Sequence, residues 1–102
     1  MAMAACMVQA DGETPERSNV VCSRDVDYPF IDSLQVDFEK ELGEDFTEFS
    51  MTYCKYWQYE TYRTYTVKVA YQPSSQEYIH ASLNVYDDDD KEPVFNCAED
   101  GQ

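Results

Sequence analysis

The chain has 102 residues, the size of one domain with a single two-layer core, and leaves no room for a separate catalytic domain. It carries 21 Asp and Glu residues against 7 Lys and Arg residues, which gives a formal net charge of -14. This charge argues against nucleic acid or an anionic membrane as a partner and favours a basic protein surface. Hydrophobic content of 43% and aromatic content of 15% predict a folded core rather than a disordered chain.

An irregular N-terminal segment with short strands is predicted over residues 1–26. Cys6-Met7-Val8 and Val20-Val21-Cys22 are short apolar runs, and the residues from Asp11 to Asn19 between them are typical of turns. The apolar start lacks the basic region and the length of a secretory signal peptide. No stretch has the length of a transmembrane helix. These features predict a cytoplasmic protein.

The four cysteines are widely spaced. Without a C-x-x-C pair their spacing does not favour a zinc site. Two disulfides are possible, with three connectivities, but free thiols are expected in a reducing compartment. The cysteines are Cys6, Cys22, Cys54 and Cys97.

One helix is predicted over residues 27–43. Asp27 is a suitable N-cap, Pro29 is tolerated in the first turn, and Gly43 is suited to the C′ position. Apolar residues recur at three- and four-residue steps and form one stripe. The stripe consists of Phe30, Ile31, Leu34, Phe38 and Leu42.

An antiparallel sheet is predicted over residues 46–97, because apolar residues alternate with polar ones in three consecutive runs. Val94–Cys97 adds a further strand, and residues 98–102 are expected to form a loose tail. The fold class is therefore α+β, with one helix packed on a three- to five-stranded antiparallel sheet in a single domain, 1–102. Expected buried positions are Phe49, Met51, Tyr53, Tyr65, Val67, Val69, Tyr71, Ile79, Ala81, Leu83 and Val85. Expected solvent-facing positions include Cys54, Thr64, Tyr78, His80 and Ser82.

Two groups of acidic residues are candidates for partner binding. Adjacent carboxylates repel one another, so such a run is solvated, ion-bound or partner-bound. Calcium is a weaker alternative because the spacing of a calcium loop is absent. Carboxylates held apart on a folded surface can imitate nucleic acid, which carries one charge per roughly 1.7 Å of duplex. The first group is Asp87, Asp88, Asp89, Asp90 and Glu92; the second is Glu39, Glu41, Glu44, Asp45 and Glu48.

Aromatic residues near the carboxylates are candidates for short-range contacts, because such side chains often dominate interface energy. Trp57, Tyr59 and Tyr62 are expected to be exposed, as are Tyr56 and Tyr78. The single histidine is expected to be structural. No nucleophile elbow, phosphate-binding glycine loop or H-E-x-x-H motif is present. We therefore expect no catalysis, no cofactor and no metal.

The strand sequences Tyr65-Thr66-Val67-Lys68-Val69, Glu77-Tyr78-Ile79-His80 and Leu83-Asn84-Val85-Tyr86 follow the predicted helix. This order resembles the stefin branch of the cystatins over roughly residues 28 to 97. In that family a sheet wraps a helix, and a Gln-Val-Val-Ala-Gly hairpin enters the cleft of papain-like proteases. The resemblance implies a cysteine protease inhibitor scaffold. The binding hairpin has diverged, because this chain has Trp57-Gln58-Tyr59-Glu60-Thr61 at that place.

The overall character of the chain resembles the phage-encoded counter-defence proteins, which include anti-CRISPR proteins and other DNA mimics. That resemblance implies a non-catalytic inhibitor that binds the basic nucleic-acid-binding groove of a host nucleoprotein complex in the host cytoplasm. A CRISPR effector or another nucleic-acid-binding protein would be the partner, without direct contact to nucleic acid or membrane. Both acidic groups would act as charge mimics, with Trp57, Tyr59 and Tyr62 adding affinity. This is the primary hypothesis, and the stefin-like inhibitor is the alternative.

Overall fold

The computed structural model describes residues 6, 13–72 and 77–101. Within these residues, five strands form one antiparallel sheet, in which the strands lie in chain order from β1 to β5. The α+β class and the antiparallel sheet are confirmed. None of the described helices is long and apolar enough to cross a membrane. The elements are β1 (Arg17–Val21), α1 (Asp27–Asp32), α2 (Gln35–Leu42), β2 (Ser50–Gln58), β3 (Tyr62–Gln72), β4 (Glu77–Tyr86) and β5 (Val94–Gly101).

Two short helices replace the single helix predicted over residues 27–43. The Ser33 N–H donates to the Phe30 carbonyl at 3.1 Å, and the Leu34 N–H donates to the Ile31 carbonyl at 2.9 Å. Both bonds reach back three residues, the spacing of a tighter 3₁₀ turn, so the α-helical pattern stops before α2. Gly43 ends α2 at φ 70°, the left-handed conformation expected of a C′ glycine.

Asp27 is the first residue of α1 and not its N-cap. The N-cap position belongs to Val26, which makes no side-chain cap. The Asp27 carboxylate is buried and accepts three bonds: from Arg63 Nη1 at 3.0 Å, from the Tyr65 hydroxyl at 2.8 Å and from the Ser23 N–H at 2.7 Å. A buried charge is tolerated when it is paired and hydrogen-bonded in this way. The network ties the start of α1 to β3.

The alternation predicted for β3 and β4 is confirmed at the core. Seven of their inward residues are at most 3% exposed, whereas Val85, also expected to be buried, is only half-buried. The helix residues Ile31, Leu34 and Phe38 belong to the same buried cluster. The Phe38 ring lies 5.0 Å from the ring of Phe95 in β5. The seven buried residues are Tyr65, Val67, Val69, Tyr71, Ile79, Ala81 and Leu83.

The predicted faces of β2 are wrong beyond Met51. A register shift between Met51 and Tyr53 adds one residue to the strand, which reverses the direction of every side chain after it. Tyr53 is consequently 41% exposed, whereas Cys54 and Tyr56 are buried. The face opposite the core, which we call the outer face, therefore carries Tyr53 and Lys55.

Three further expectations about the sheet are corrected. Thr64 and Ser82 are buried on the outer face rather than solvated. The Thr64 hydroxyl donates to Asn84 Oδ1 at 2.9 Å, and Asn96 Nδ2 donates to Ser82 Oγ at 3.2 Å, so both hydroxyls have partners. The expected loose tail at 98–102 instead continues β5 to Gly101.

The expectation of free thiols is wrong, because the cysteines form the disulfides Cys6–Cys97 and Cys22–Cys54. The second joins the end of β1 to β2 within the core cluster. The first ties a residue that precedes β1 to β5. The remainder of the strand predicted at Cys6-Met7-Val8 lies outside the described residues.

Candidate functional site

Three segments of the chain meet at the end of the sheet where β2 joins β3 and β4 joins β5. The Tyr62 hydroxyl donates to Glu13 Oε1 at 3.0 Å, which places the segment before β1 beside β3. The Asp87 N–H donates to the Thr61 carbonyl at 2.9 Å, which joins the two connections. We call this surface the acidic edge. Its exposed carboxylates are Glu13, Glu16, Glu60, Asp87, Asp88, Asp89, Asp90 and Glu92.

Glu13, Glu16 and Glu60 were not selected from the sequence, because each is isolated from the aspartate run along the chain. The strand register brings them together: the Glu16 N–H donates to the Gln58 carbonyl at 2.7 Å. These three residues border an open depression of about 310 Å³. Its other lining residues are Thr14, Thr61 and Tyr62.

The aspartate run forms a defined turn. Asp88 Oδ1 accepts the Asp90 N–H at 2.9 Å, and the Asp88 carbonyl accepts the Lys91 N–H at 3.0 Å. Lys91 Nζ lies 5.2 Å from the centre of the Tyr86 ring. The turn thus holds four adjacent carboxylates in solvent at the corner of the sheet.

Three tyrosine rings in mutual contact lie beside the acidic edge, one pair stacked and the other tilted by 38°. Tyr59 and Tyr62 are 4.8 Å apart between ring centres, and Tyr62 and Tyr86 are 5.4 Å apart. Tyr59 is only 2% exposed and Tyr56 only 5%, so their predicted exposure is wrong. Tyr62 and Trp57 are half-buried and remain partly accessible to a partner.

Deprotonation of Tyr62 and of Tyr65, which lies in the core, is expected to destabilise the fold at high pH. Burial, together with Glu13, raises the pKa of Tyr62 to about 12, and burial raises the pKa of Tyr65 to about 12. Tyrosines in an unfolded chain titrate near about 10. The folded state therefore holds these protons more tightly, so the stability they contribute is full below pH ~10 and is lost as pH rises toward ~12.

Ultraviolet absorbance of tyrosinate and circular dichroism, followed across the same alkaline range, test this expectation. Late-titrating tyrosines should ionise together with the loss of structure. Tyr62→Phe should remove one of them. If all tyrosines ionise at about pH 10 while the circular dichroism spectrum stays native, the raised pKa values are contradicted.

The second acidic group lies at the opposite end of the sheet. The Glu48 N–H donates to the carbonyl of Tyr71, near the far end of β3 from Tyr62. The length of β3 separates the two groups by about 30 Å, at roughly 3.3 Å per residue. The structure therefore does not combine them in one surface. This group comprises Glu39, Glu41, Glu44, Asp45 and Glu48.

Two members of the second group have shifted pKa values with separate causes. Glu39 accepts the Phe46 N–H at 3.0 Å and Gln35 Nε2 at 3.1 Å, and these bonds lower its pKa. Repulsion from Asp100 raises the pKa of Glu44. Glu39 thus supports the chain where α2 leads into β2.

A cysteine-containing cluster lies on β5. The sulfurs of Cys6 and Cys97 and a carboxylate oxygen of Glu99 lie within 4.8 Å of one another. Both sulfurs belong to the disulfide and therefore offer no thiolate to a metal. His80 is opposite Glu99 in the register, and its Nε2 is buried without a hydrogen-bond partner in the described structure.

Comparisons with protein-family models, with curated proteins and with solved structures give no match for this chain. Function is therefore inferred from the surfaces themselves. The acidic edge is the surface to which three separate segments of the chain contribute exposed carboxylates.

Proposed function

We propose that the protein is a non-catalytic inhibitor that places its acidic edge in a basic groove of a partner protein. The observation that carries the proposal is the convergence of three segments, distant in sequence, that each bring exposed carboxylates to one end of the sheet. Like charges held together raise the cost of folding and strengthen the local field, which steers a basic partner to the edge.

A groove that binds nucleic acid fits this chemistry, because its lysines and arginines are placed to meet closely spaced negative charges. In this proposal the turn at Asp87–Asp90 supplies the charge mimic. Trp57 and Tyr62 add contacts at its margin, and α1 and α2 support one face of the sheet behind it. The second acidic group would lie outside the same contact, since it is at the other end of β3.

The two disulfides bear on where the partner is found. Disulfides persist in oxidising compartments and are rare in the cytosol. We therefore place the proposed activity in an oxidising compartment, in place of the expected host cytoplasm. A secreted or cell-surface protein with a basic groove then suits the acidic edge better than a cytoplasmic CRISPR effector does.

Partner capture is the first experiment. The immobilised, oxidised protein is exposed to a secreted protein fraction and, separately, to a nuclease-treated bacterial lysate that contains an assembled CRISPR complex. Bound proteins are then challenged with heparin, a polyanion. Release of a basic protein by heparin supports the proposal, and the fraction that supplies it identifies the compartment.

Charge neutralisation at the acidic edge is expected to slow association with the captured partner. The variant Asp87→Asn, Asp88→Asn, Asp89→Asn, Asp90→Asn should lower the association rate by about tenfold or more and flatten its salt dependence. The matched control removes four charges from the other end of the sheet and spares Glu39. It carries Glu41→Gln, Glu44→Gln, Asp45→Asn and Glu48→Gln. Equal effects of both variants would mean that only net charge matters, and the acidic edge would lose its assignment.

A stefin-like protease inhibitor is the second candidate. It is favoured by the order of β1, the helices and then four strands, and by the position of the β2–β3 connection beside the segment before β1. Glu60→Gly with Thr61→Gly changes two exposed residues of that connection and leaves the buried Tyr59 in place. If this variant loses inhibition of a papain-type protease while the aspartate variant keeps it, the second candidate replaces the first.

A further inference from the structure

A basic and apolar surface lies on the outer face of the sheet, from β1 to β4. The chain has only 7 Lys and Arg residues. Two of them, Lys55 and Lys68, are on neighbouring strands of this face. In the register Val21 is opposite Lys55, and Tyr53 is opposite Lys68. We call Val21, Tyr53, Lys55, Lys68 and Tyr78 the outer patch.

The apolar members of the outer patch are unusually open to solvent. Val21 is 72% exposed and Tyr53 is 41% exposed. Lys55 Nζ lies 5.7 Å from the centre of the Tyr53 ring, and Lys68 Nζ lies 4.5 Å from that of Tyr78. The ammonium groups therefore stand over aromatic rings, next to uncovered apolar surface.

Neither lysine forms a salt bridge with a carboxylate among residues 6, 13–72 and 77–101. In the part of the chain that the structure describes, the salt bridge is the one between Arg63 and Asp27. The protein has 21 acidic residues, and the acidic edge and the second acidic group together hold 13 of them, 8 and 5 respectively. The outer patch thus keeps two positive charges available on a strongly negative molecule.

We propose that the outer patch docks an extended acidic segment of a partner protein. Lys55 and Lys68 are diagonal neighbours on adjacent strands, a spacing of about 7–8 Å between residues. Carboxylates at alternate positions of an extended chain point to one side and are about 6.5–7 Å apart. Two such carboxylates would meet the two ammonium groups, and an apolar side chain two positions further on would cover Val21 and Tyr53.

Charge complementarity selects this occupant over others. A second copy of the chain also carries a charge of -14 and is repelled at long range. An anionic membrane surface is repelled in the same way. A short segment with two carboxylates brings little charge of its own and meets the local positive field of the outer patch.

The probe is the blocked peptide Glu-Ser-Glu-Ser-Val, added to the oxidised, isotope-labelled protein and followed by amide chemical shifts. We expect shifts confined to the outer face of β1–β4 around the outer patch and a Kd on the order of 1 mM, as for a short flexible ligand. The variant Lys55→Gln with Lys68→Gln should bind at least tenfold more weakly. The matched control, Lys40→Gln with Lys91→Gln, changes the net charge equally and should bind as the unmodified protein does.

Thermal melts establish that each variant is folded. The proposal is overturned if both variants bind equally well, if the peptide Gln-Ser-Gln-Ser-Val binds as tightly, or if no shifts appear at ten times the expected Kd. Shifts that depend on protein concentration without peptide would assign the surface to a second copy, which also overturns it. A failure of the acidic edge to bind a basic groove leaves these outcomes unchanged, because the two surfaces are separate.

Discussion

Replacing Cys22 and Cys54 by alanine is expected to lower the free energy of unfolding by about 3–4 kcal/mol. The cross-link joins residues 32 apart in sequence, so it removes many conformations from the unfolded chain. Both cysteines are in the core, at 7% and 4% exposure, and their loss also removes packing. Against a total stability of about 5–15 kcal/mol, this is a large fraction. Denaturant unfolding under oxidising conditions measures it.

The other disulfide provides the comparison. Cys6 and Cys97 are 91 residues apart, so the same chain-entropy relation gives about 4–5 kcal/mol for Cys6→Ala with Cys97→Ala. The single variant Cys22→Ala should lose nearly as much stability as its double variant, because the bridge is already gone. A double variant within about 1 kcal/mol of the unmodified protein would show that the corresponding cross-link contributes little.

These cross-links have a physical role in so acidic a protein. The acidic edge and the second acidic group hold like charges close together in the folded state, and the unfolded chain relieves that repulsion by expanding. A disulfide limits the expansion, so it raises the free energy of the unfolded state. The disulfides can thus offset part of the electrostatic cost of keeping a concentrated acidic surface.

The fold could be predicted where local periodicity alone decides it. Two-residue alternation gave the buried faces of β3 and β4, and three- and four-residue steps gave Ile31, Leu34 and Phe38. The shift between Met51 and Tyr53 could not be predicted, because an extra residue leaves the alternation intact on either side of it. That single residue exchanges the faces of the sheet on which Tyr53 and Cys54 lie. Cys54 therefore points into the core, where it forms the disulfide with Cys22.

The candidate site was predictable only in part, for a related reason. The aspartates at 87–90 are adjacent in the chain, so their repulsion and their exposure follow from sequence. Glu13 and Glu60 join them through the antiparallel register, which carries no local signal. Tyr59 was misplaced because a residue in a tight connection has no alternating neighbours to indicate which way its ring points.

Arg63→Leu is expected to lower the free energy of unfolding by about 3–5 kcal/mol, because it leaves the Asp27 carboxylate buried without its counter-charge. The Asp27 side chain is 5% exposed, whereas that of Arg63 is 33% exposed. Arg63 also lies 4.0 Å from the centre of the Tyr56 ring and donates Nε–H to Gln58 at 2.7 Å. The substitution therefore removes packing as well as charge. Denaturant unfolding measures the loss.

The two partners should respond unequally. Asp27→Asn leaves a guanidinium that is one-third exposed and can recover water, so we expect it to cost less than Arg63→Leu. Arg63→Lys keeps the charge but not the planar fork, and should fall between them. The double variant should cost less than the sum of the two single variants, which a double-mutant cycle measures directly. Strict additivity, or a larger loss from Asp27→Asn than from Arg63→Leu, would mean that the ion pair does not govern the stability of this network.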